Sequence, residues 1–375
     1  MMVLSVTLLM FYTVLIGCFY FGFLKVPDFK TKREVYATGF SGVIPFRNEA
    51  DYLPELLQSI AALDYDDNRF EVLLINDGST DESEALVHDF IKTHSQLQVR
   101  LLQNKRVSNS PKKDAISLAI SQAKFDWILT TDADCKLPKT WLRCFNSFIQ
   151  HNPCQFIIAP VTYFTTSRFL NIFQWFDFMS LQGATLGGFG INKPFLCNGA
   201  NLAYTKQAFN GVNGFQENDS IASGDDIFLL EKISDTYPES VHYLKAQDAV
   251  VYTHSQSSLQ GLLNQRKRWA SKTKAYKNTF SQLTGLLVFS MNALLLSLFI
   301  LMCFGDFSPL YFLGIALVKC GMDFGLIYKS AQFFNQKGTL IWYPFAAILY
   351  PIFCTFVAVS SVFTTYKWKD RAFSK

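Results

Sequence analysis

The chain has 375 residues, half of them apolar, with 37 Phe, 34 basic and 30 acidic residues and a formal net charge of +4. Only 17% are charged, against about a quarter in ordinary soluble domains, and the mean hydropathy is +0.15. An ordinary cytosolic globule, a disordered chain and a pure membrane bundle are excluded, and so mild a basicity gives no reason to expect nucleic acid. Cys18, Cys135, Cys144, Cys154, Cys197, Cys303, Cys320 and Cys354 form no C-x-x-C pair. Reduced thiols are expected, with no zinc site and no disulfide framework.

In chain order, Val3 to Leu24 is an uncharged apolar run, about 33 Å long as a helix at roughly 1.5 Å per residue, enough to span a hydrocarbon core. No basic region precedes it, and Lys25, Lys30, Lys32 and Arg33 follow. That pattern favours an anchor over a signal peptide and places the next domain in the cytoplasm, at the inner (plasma) membrane. Residues 31–277 contain no long apolar run and are expected to form the water-facing domain. Within it strands are predicted at Gly42–Phe46, Val72–Asn76, Val99–Leu102 and Trp127–Thr131, alternating with helices at Tyr52–Ala61, Asp81–Ile91 and Lys112–Ala123. The rhythm predicts an α/β fold with a mostly parallel sheet.

Apolar stretches at Leu283–Phe304, Pro309–Tyr328 and Leu340–Phe363 predict a C-terminal membrane region, 283–363, before a basic tail, 366–375. Four full spans would place that tail outside, against the positive-inside bias. Either one C-terminal segment lies in the interface or re-enters, with Pro344 and Pro351 as break points in the last, or the tail is an exception. Lys319 and Asp323, four residues apart, share a helix face and can neutralise each other away from lipid.

In open parallel sheets ligands bind at the carboxyl ends of strands. Here those ends carry Arg47-Asn48-Glu49, Asp77-Gly78-Ser79 and Asp132-Ala133-Asp134. The last, a D-x-D, puts two carboxylates where they can flank Mg²⁺ or Mn²⁺ while a diphosphate completes the shell. A turn with capping aspartates is the plainer alternative. Asp77 can accept from a ring N–H of a base, and a strand-to-helix turn explains the same string. Together these sites resemble the family 2 glycosyltransferases, whose GT-A domain, Rossmann-like with a mostly parallel sheet, binds a nucleotide-diphosphate sugar. The resemblance runs from about Phe40 to Lys277. Val43-Ile44-Pro45-Phe46-Arg47-Asn48-Glu49 looks like the family's opening strand and nucleotide-contacting turn. Pro111-Lys112-Lys113-Asp114-Ala115-Ile116 resembles its G-K-x-x-A-L helix start, and Cys197-Asn198-Gly199-Ala200-Asn201 and Gly211-Val212-Asn213-Gly214-Phe215 its acceptor side. Asp225-Asp226 matches its acidic pair and Gln265-Arg266-Lys267-Arg268-Trp269 its Q-x-x-R-W motif.

The resemblance implies a membrane-bound inverting transferase acting on a nucleotide-sugar donor, a UDP-sugar first, and a lipid or polysaccharide hydroxyl. It assigns Asp226 as general base with Asp225 beside it. Pro45, Arg47, Glu49, Asp77, Lys112, Asp132 and Arg268 fall to the donor, Asn198, Gly199, Gln265 and Trp269 to the acceptor, and Asp134 with Asp132 to the metal. Alone, the acidic pair also reads as helix capping, and the Q-x-x-R-W segment with Lys272, Lys274 and Lys277 as a juxtamembrane basic patch. Gly183–Gly190 is expected as a flexible loop or linker, and His254 in ordinary packing. A non-catalytic scaffold with an export partner is the alternative function.

Overall fold

The computed structural model describes residues 2–219, 221, 223–363, 366–368 and 371–373. From the N-terminus it runs α1 (Met2–Lys25), β1 (Phe40–Phe46), α2 (Leu53–Ala61), β2 (Phe70–Asn76), α3 (Ser83–Thr93), β3 (Val99–Gln103) and α4 (Pro111–Gln122). There follow β4 (Trp127–Thr130), β5 (Cys135–Lys136), α5 (Trp141–His151), β6 (Phe156–Ile158), β7 (Val161–Tyr163), α6 (Phe169–Gly190), β8 (Leu202–Thr205) and α7 (Lys206–Gly211). The remainder is α8 (Asp225–Thr236), β9 (Val241–Tyr243), β10 (Val251–Thr253), α9 (Leu259–Ser271), α10 (Thr279–Cys303), α11 (Pro309–Phe333), α12 (Tyr343–Phe363), β11 (Tyr366–Trp368) and β12 (Arg371–Phe373).

Two compact units result. One holds Pro27–Phe164 and Cys197–His254, and the other holds Met1–Val26, Thr165–Leu196 and Ser255–Lys375. The sheet-bearing unit is therefore narrower than the stretch 31–277. Its seven strands run in the order β3-β2-β1-β4-β8-β6-β9. The block β3-β2-β1-β4 is parallel throughout, and β8 then pairs antiparallel with both β4 and β6. Every residue of β2 is buried, and so is all of β1 except Pro45. Such strands read as unbroken apolar runs because helices cover both faces of a parallel sheet. A second sheet, β5-β10-β7, carries Cys135 opposite Thr253.

Among the described residues of the other unit, four helices are long and apolar enough to cross a membrane: Met2–Lys25, Thr279–Cys303, Pro309–Phe333 and Lys337–Phe363. The proposed break in the last does not occur. Pro351 lies inside α12 and Pro344 in its first turn, and the helix continues through both. Pro344 has no helical acceptor to lose at that position, and a helix can absorb one interior proline when its neighbours support it. The expectation for the tail falls partly outside the described residues, which exclude Lys369 and Lys375; β11 and β12 pair antiparallel there. Lys319 and Asp323 form the expected ion pair at 2.8 Å, and Tyr12 of α1 donates to the same carboxylate at 2.6 Å.

The 183–190 stretch is helix, contrary to the expected loop. Gly183, Gly187 and Gly190 recur along α6, and each lies where a neighbouring helix comes close. A Cβ on Gly187 would stand 2.6 Å from Phe19 Cα, one on Gly190 2.6 Å from Gly22 Cα, and one on Gly183 2.8 Å from Leu326 Cγ. Glycine here removes side-chain bulk between helices, which is how apolar helices without a hydrophobic drive toward each other gain packing. A larger residue forces α1 and α6 apart. We expect Gly187→Val to lower stability by about 1–3 kcal/mol, seen as a reduced thermal midpoint of the full chain in detergent, whereas Gly285→Val, with nothing within 4 Å of its Cβ position, should leave it unchanged.

Candidate active site

The sheet brings the acidic and basic loops together because β3, β2, β1 and β4 all point the same way. The carboxyl ends of β1, β2 and β3 are in step, with Phe46 beside Asn76 and Asn76 beside Gln103, while β4 ends three residues earlier, with Thr130 beside Val43. The first two loops are interlocked. Arg47 donates to the Asp77 carbonyl at 2.8 Å and the Gly78 carbonyl at 2.5 Å. Asn48, at φ 51°, receives the Thr80 N–H on its Oδ1 at 2.8 Å, and Glu49 N–H donates to Ser83 Oγ at 2.8 Å. Pro45, one residue before the end of β1, holds the strand into this turn.

Asp77 is buried, and its Oδ1 accepts from Asn104 at 2.8 Å and from Arg106 Nε at 2.7 Å. Both donors follow β3, and sequence reasoning passed over them. The readable signal was a second polar run, Asn104-Lys105-Arg106, at the end of a third parallel strand. Asp114 organises that loop, receiving the N–H groups of Val107 and Ser108 at 3.0 Å each. Among the described residues the buried Asn104 Oδ1 has no donor.

A second cluster draws on four separate parts of the chain. Lys112 Nζ, on the first turn of α4, donates to Asp132 Oδ1 at 2.8 Å and reaches Asp225 Oδ2 at 3.1 Å. Burial alone would lower the Lys112 pKa, but the Asp132 and Asp225 carboxylates, with Asp226 further off, hold the ammonium above its ordinary value. Gly224, at φ 84°, turns the chain into α8 so that Asp225 and Asp226 occupy its first turn. The positive end of the helix dipole favours both carboxylates there. Asp226 Oδ2 receives the Gly199 N–H at 3.1 Å. A Cβ on Gly199 would lie 3.2 Å from Asp225 Oδ2 and 3.5 Å from Lys112 Nζ, so the backbone itself forms this wall. The wall is fixed from behind: Thr130 donates to the Gly199 carbonyl at 3.0 Å, Asn198 Oδ1 caps Ala200 N–H at 3.0 Å, and buried Asn201 accepts from Trp141 Nε1 at 2.9 Å.

Around the D-x-D, Thr131, Ala133 and Cys135 are buried while Asp132 and Asp134 are partly exposed. The alternation sets both carboxylates on the open side. Among the described residues no three His, Cys, Asp or Glu side chains form a ready-made metal cage. Burial first, and then the Asp134 and Asp132 carboxylates, push the Cys135 thiol well above its ordinary value. It stays protonated, which leaves an oxygen donor set suited to a hard cation that takes further ligands from a substrate diphosphate. Asp134 and Asp132 fit that group. His254 sits at the same edge, one step beyond the Cys135–Thr253 pair, with Nε2 3.1 Å from Glu55 Oε2 and its ring 4.8 Å from that of Tyr52.

Gln265, Arg268 and Trp269 belong to the other unit, on α9. There Arg266 is buried. It donates to Asp177 Oδ2 of α6 at 2.5 Å and to Gln265 Oε1, and its guanidinium lies 4.0 Å above the Trp269 ring. The structure thus joins Arg47, Asp77 and the β3 loop in one cluster and Lys112, Asp132, Gly199, Asp225 and Asp226 in another, both along one sheet edge.

The chain is similar to known proteins in sequence and in fold. The family profile described as glycosyl transferase family 2 matches residues 41–209, and that of glycosyl transferase family group 2 matches residues 127–361. Poly-beta-1,6-N-acetyl-D-glucosamine synthase of Staphylococcus epidermidis is 29% identical over 125 residues, 32% of this chain and 29% of that protein. Undecaprenyl-phosphate 4-deoxy-4-formamido-L-arabinose transferase of Edwardsiella ictaluri is 36% identical over 112 residues, 30% of this chain and 32% of that protein. The aligned segments thus span about a third of either relative. A mannosyltransferase from Pyrobaculum calidifontis, solved with GDP-Man and Mn²⁺, superposes with a TM-score of 0.57 at 16% identity over 96% of this chain and 98% of its own. That likeness is one of fold. With a family profile covering more than half of its length and a GT-A-like α/β sheet beneath its acidic loops, the chain belongs to the family 2 glycosyltransferases.

Proposed function

We propose that the protein is a membrane-bound, inverting glycosyltransferase that moves a sugar from a nucleotide-diphosphate donor to a hydroxyl of a lipid or growing polysaccharide. The observation that carries this reading is the convergence of Lys112, Asp132, Gly199, Asp225 and Asp226 on one space. A cation with a held diphosphate on one side and a carboxylate for an incoming hydroxyl on the other is what single displacement at an anomeric carbon requires. The relatives named above are by name a poly-N-acetylglucosamine synthase and an undecaprenyl-phosphate sugar transferase, which supports a carbohydrate or lipid acceptor.

In this reading the acceptor oxygen attacks the anomeric carbon as the bond to the diphosphate breaks, and the acceptor proton passes to Asp226. One displacement inverts the centre. Asp225 orients the acceptor and, with Asp132, places the Lys112 ammonium beside the donor diphosphate. Mg²⁺ or Mn²⁺, held by Asp134 and Asp132, would neutralise charge growing on the departing diphosphate. Asp77 accepts from the nucleobase, with Pro45, Arg47 and Glu49 shaping the pocket floor. A UDP-sugar is the donor of choice. Asn198 and Gly199 face the acceptor. The Q-x-x-R-W residues keep the roles their sequence implies, Arg268 toward diphosphate oxygens and Gln265 and Trp269 toward the acceptor. The catalytic domain is cytoplasmic, at the inner (plasma) membrane, and an export partner takes up the product where it is a polymer.

Two measurements test the assignment. With purified protein in lipid, a panel of UDP-sugars and Mn²⁺, wild type should release UDP and label lipid or polymer. Asp134→Asn and Asp226→Asn should each lose about a hundredfold or more of that rate. Donor consumption that survives in both variants would contradict the reading. Separately, Asp77→Ala should raise the donor KM by about tenfold or more, the cost of a lost hydrogen bond to a charged group, with a smaller change in kcat. A kcat loss at unchanged KM would remove Asp77 from the donor site.

A further inference from the structure

Helix α4 opens with two consecutive lysines whose side chains go to different chemical groups. Lys112 reaches carboxylates, as described. Lys113 is 1% exposed, and its Nζ donates to the backbone carbonyls of Asn218 at 2.6 Å and Ile221 at 2.9 Å, with the Phe228 ring of α8 4.9 Å away. Desolvating an ammonium is costly, and an apolar residue would serve a position whose only task was to fill space beneath α4. What the site selects is a group that can hold two carbonyls of one segment.

That segment links α7 to α8 and ends at the acidic pair. Its backbone takes left-handed values at Asn213, Gly214 and Glu217, φ 55°, 49° and 69°, and again at Gly224. Among the described residues its backbone bonds close local turns, Gly214 N–H to the Phe209 carbonyl and Ile221 N–H to the Asn218 carbonyl among them, within the segment or back to α7. Lysine side chains supply the constraint: Lys232 of α8 donates to the carbonyls of Gly214 at 2.9 Å and Gln216 at 2.6 Å, and Lys113 secures the part nearer the site. The next residues are Asp225 and Asp226, in reach of Lys112 and Gly199.

We propose that Lys113 is a positioning residue for the acceptor side of the reaction, anchoring Asn218 and Ile221 so that α8 starts where Asp225 meets Lys112 and Asp226 meets Gly199. The proposal rests on the reading of Asp226 as the base. Lys112 then serves the donor and Lys113 the carboxylate opposite, from adjacent positions of one helix.

The test uses the full chain in lipid nanodiscs, with UDP and Mn²⁺ as the binding probe and the donor consumed in the panel above as substrate. Lys113→Met should hold UDP affinity within about twofold, lower transfer kcat by about tenfold to a hundredfold as a small misplacement of a catalytic group does, and displace the acid limb of the kcat–pH profile. Lys113→Arg should recover part of the rate. The proposal is overturned if UDP affinity falls in step with kcat, if kcat is unchanged, or if arginine recovers nothing in a folded protein. Should Lys113→Met fail to fold, Lys113→Arg decides: a lowered kcat with intact UDP affinity and a displaced acid limb supports the role, and any other pattern removes it. Asp226→Asn is the control for the underlying reading, since transfer surviving in that variant removes Asp226 as base and the proposal with it, whatever Lys113 does.

Discussion

Three carboxylates cannot share a half-buried space without a cation among them, and in this protein the cation is Lys112, donating to Asp132 and contacting Asp225 with Asp226 close by. Like charges at these distances would repel by several kcal/mol at the effective dielectric of a protein surface. The ammonium turns that repulsion into order. It ties the end of β4, where the D-x-D lies, to the start of α8, where the acidic pair lies, and these are almost a hundred residues apart in sequence. The rest of the site is arranged to keep that tie in register: Pro111 starts α4, Gly224 caps the start of α8, the Thr130 hydroxyl holds the Gly199 carbonyl, and the Asn201 amide ties the turn that follows to the Pro160 and Ala249 carbonyls.

The parts legible in the sequence were those written in local chemistry. The strands β1 to β4 and helices α2 to α4 came through because a buried parallel strand is an unbroken apolar run and its crossover helix has its own period. Observed and expected ends differ by two residues at most, as for β1, which begins at Phe40 rather than Gly42. The acidic loops stood out because polar residues cluster at strand ends. What did not come through was written in distant contacts. The strands β6, β7, β8, β9 and β10 have three or four residues each, too few to display a period. Arg106 and Lys113 matter through partners distant in sequence, Asp77 for the first and Asn218 and Ile221 for the second. The α6 glycines read as a loop because glycine weakens an isolated helix; only the proximity of Phe19, Gly22 and Leu326 makes their lack of a side chain useful.

In the unit that holds the apolar helices, the same logic of paired charge recurs. Arg266 and Asp177 are both buried, Lys319 is buried beside a partly exposed Asp323, and each pair has a further partner, the Gln265 amide in one case and the Tyr12 hydroxyl in the other. A buried pair adds little stability over apolar residues of the same size, whereas losing one partner leaves a charge stranded. Its contribution is therefore to specificity of packing. Asp177 fixes α9 to α6, and Asp323 fixes α1 to α11, where apolar contacts alone would permit sliding. For the Q-x-x-R-W segment this has a particular meaning. Arg266 holds Gln265 on one side and lies over Trp269 on the other, so a residue inside the motif, not one of its signature letters, sets how two of those letters are presented.

The two lysines that open α4 show how one short string can carry separate constraints. An ammonium directed at carboxylates responds to whatever charge arrives beside them, since a diphosphate competes for the same donor. An ammonium directed at backbone carbonyls does not, because those acceptors neither titrate nor leave. Lys112 is of the first kind and Lys113 of the second. In the proposed reaction, this placement on one helix would let Lys112 exchange partners beside a diphosphate while Lys113 keeps Asn218 and Ile221 in place ahead of Asp225 and Asp226. A single lysine could not do both, because holding the loop would remove the freedom needed at the diphosphate.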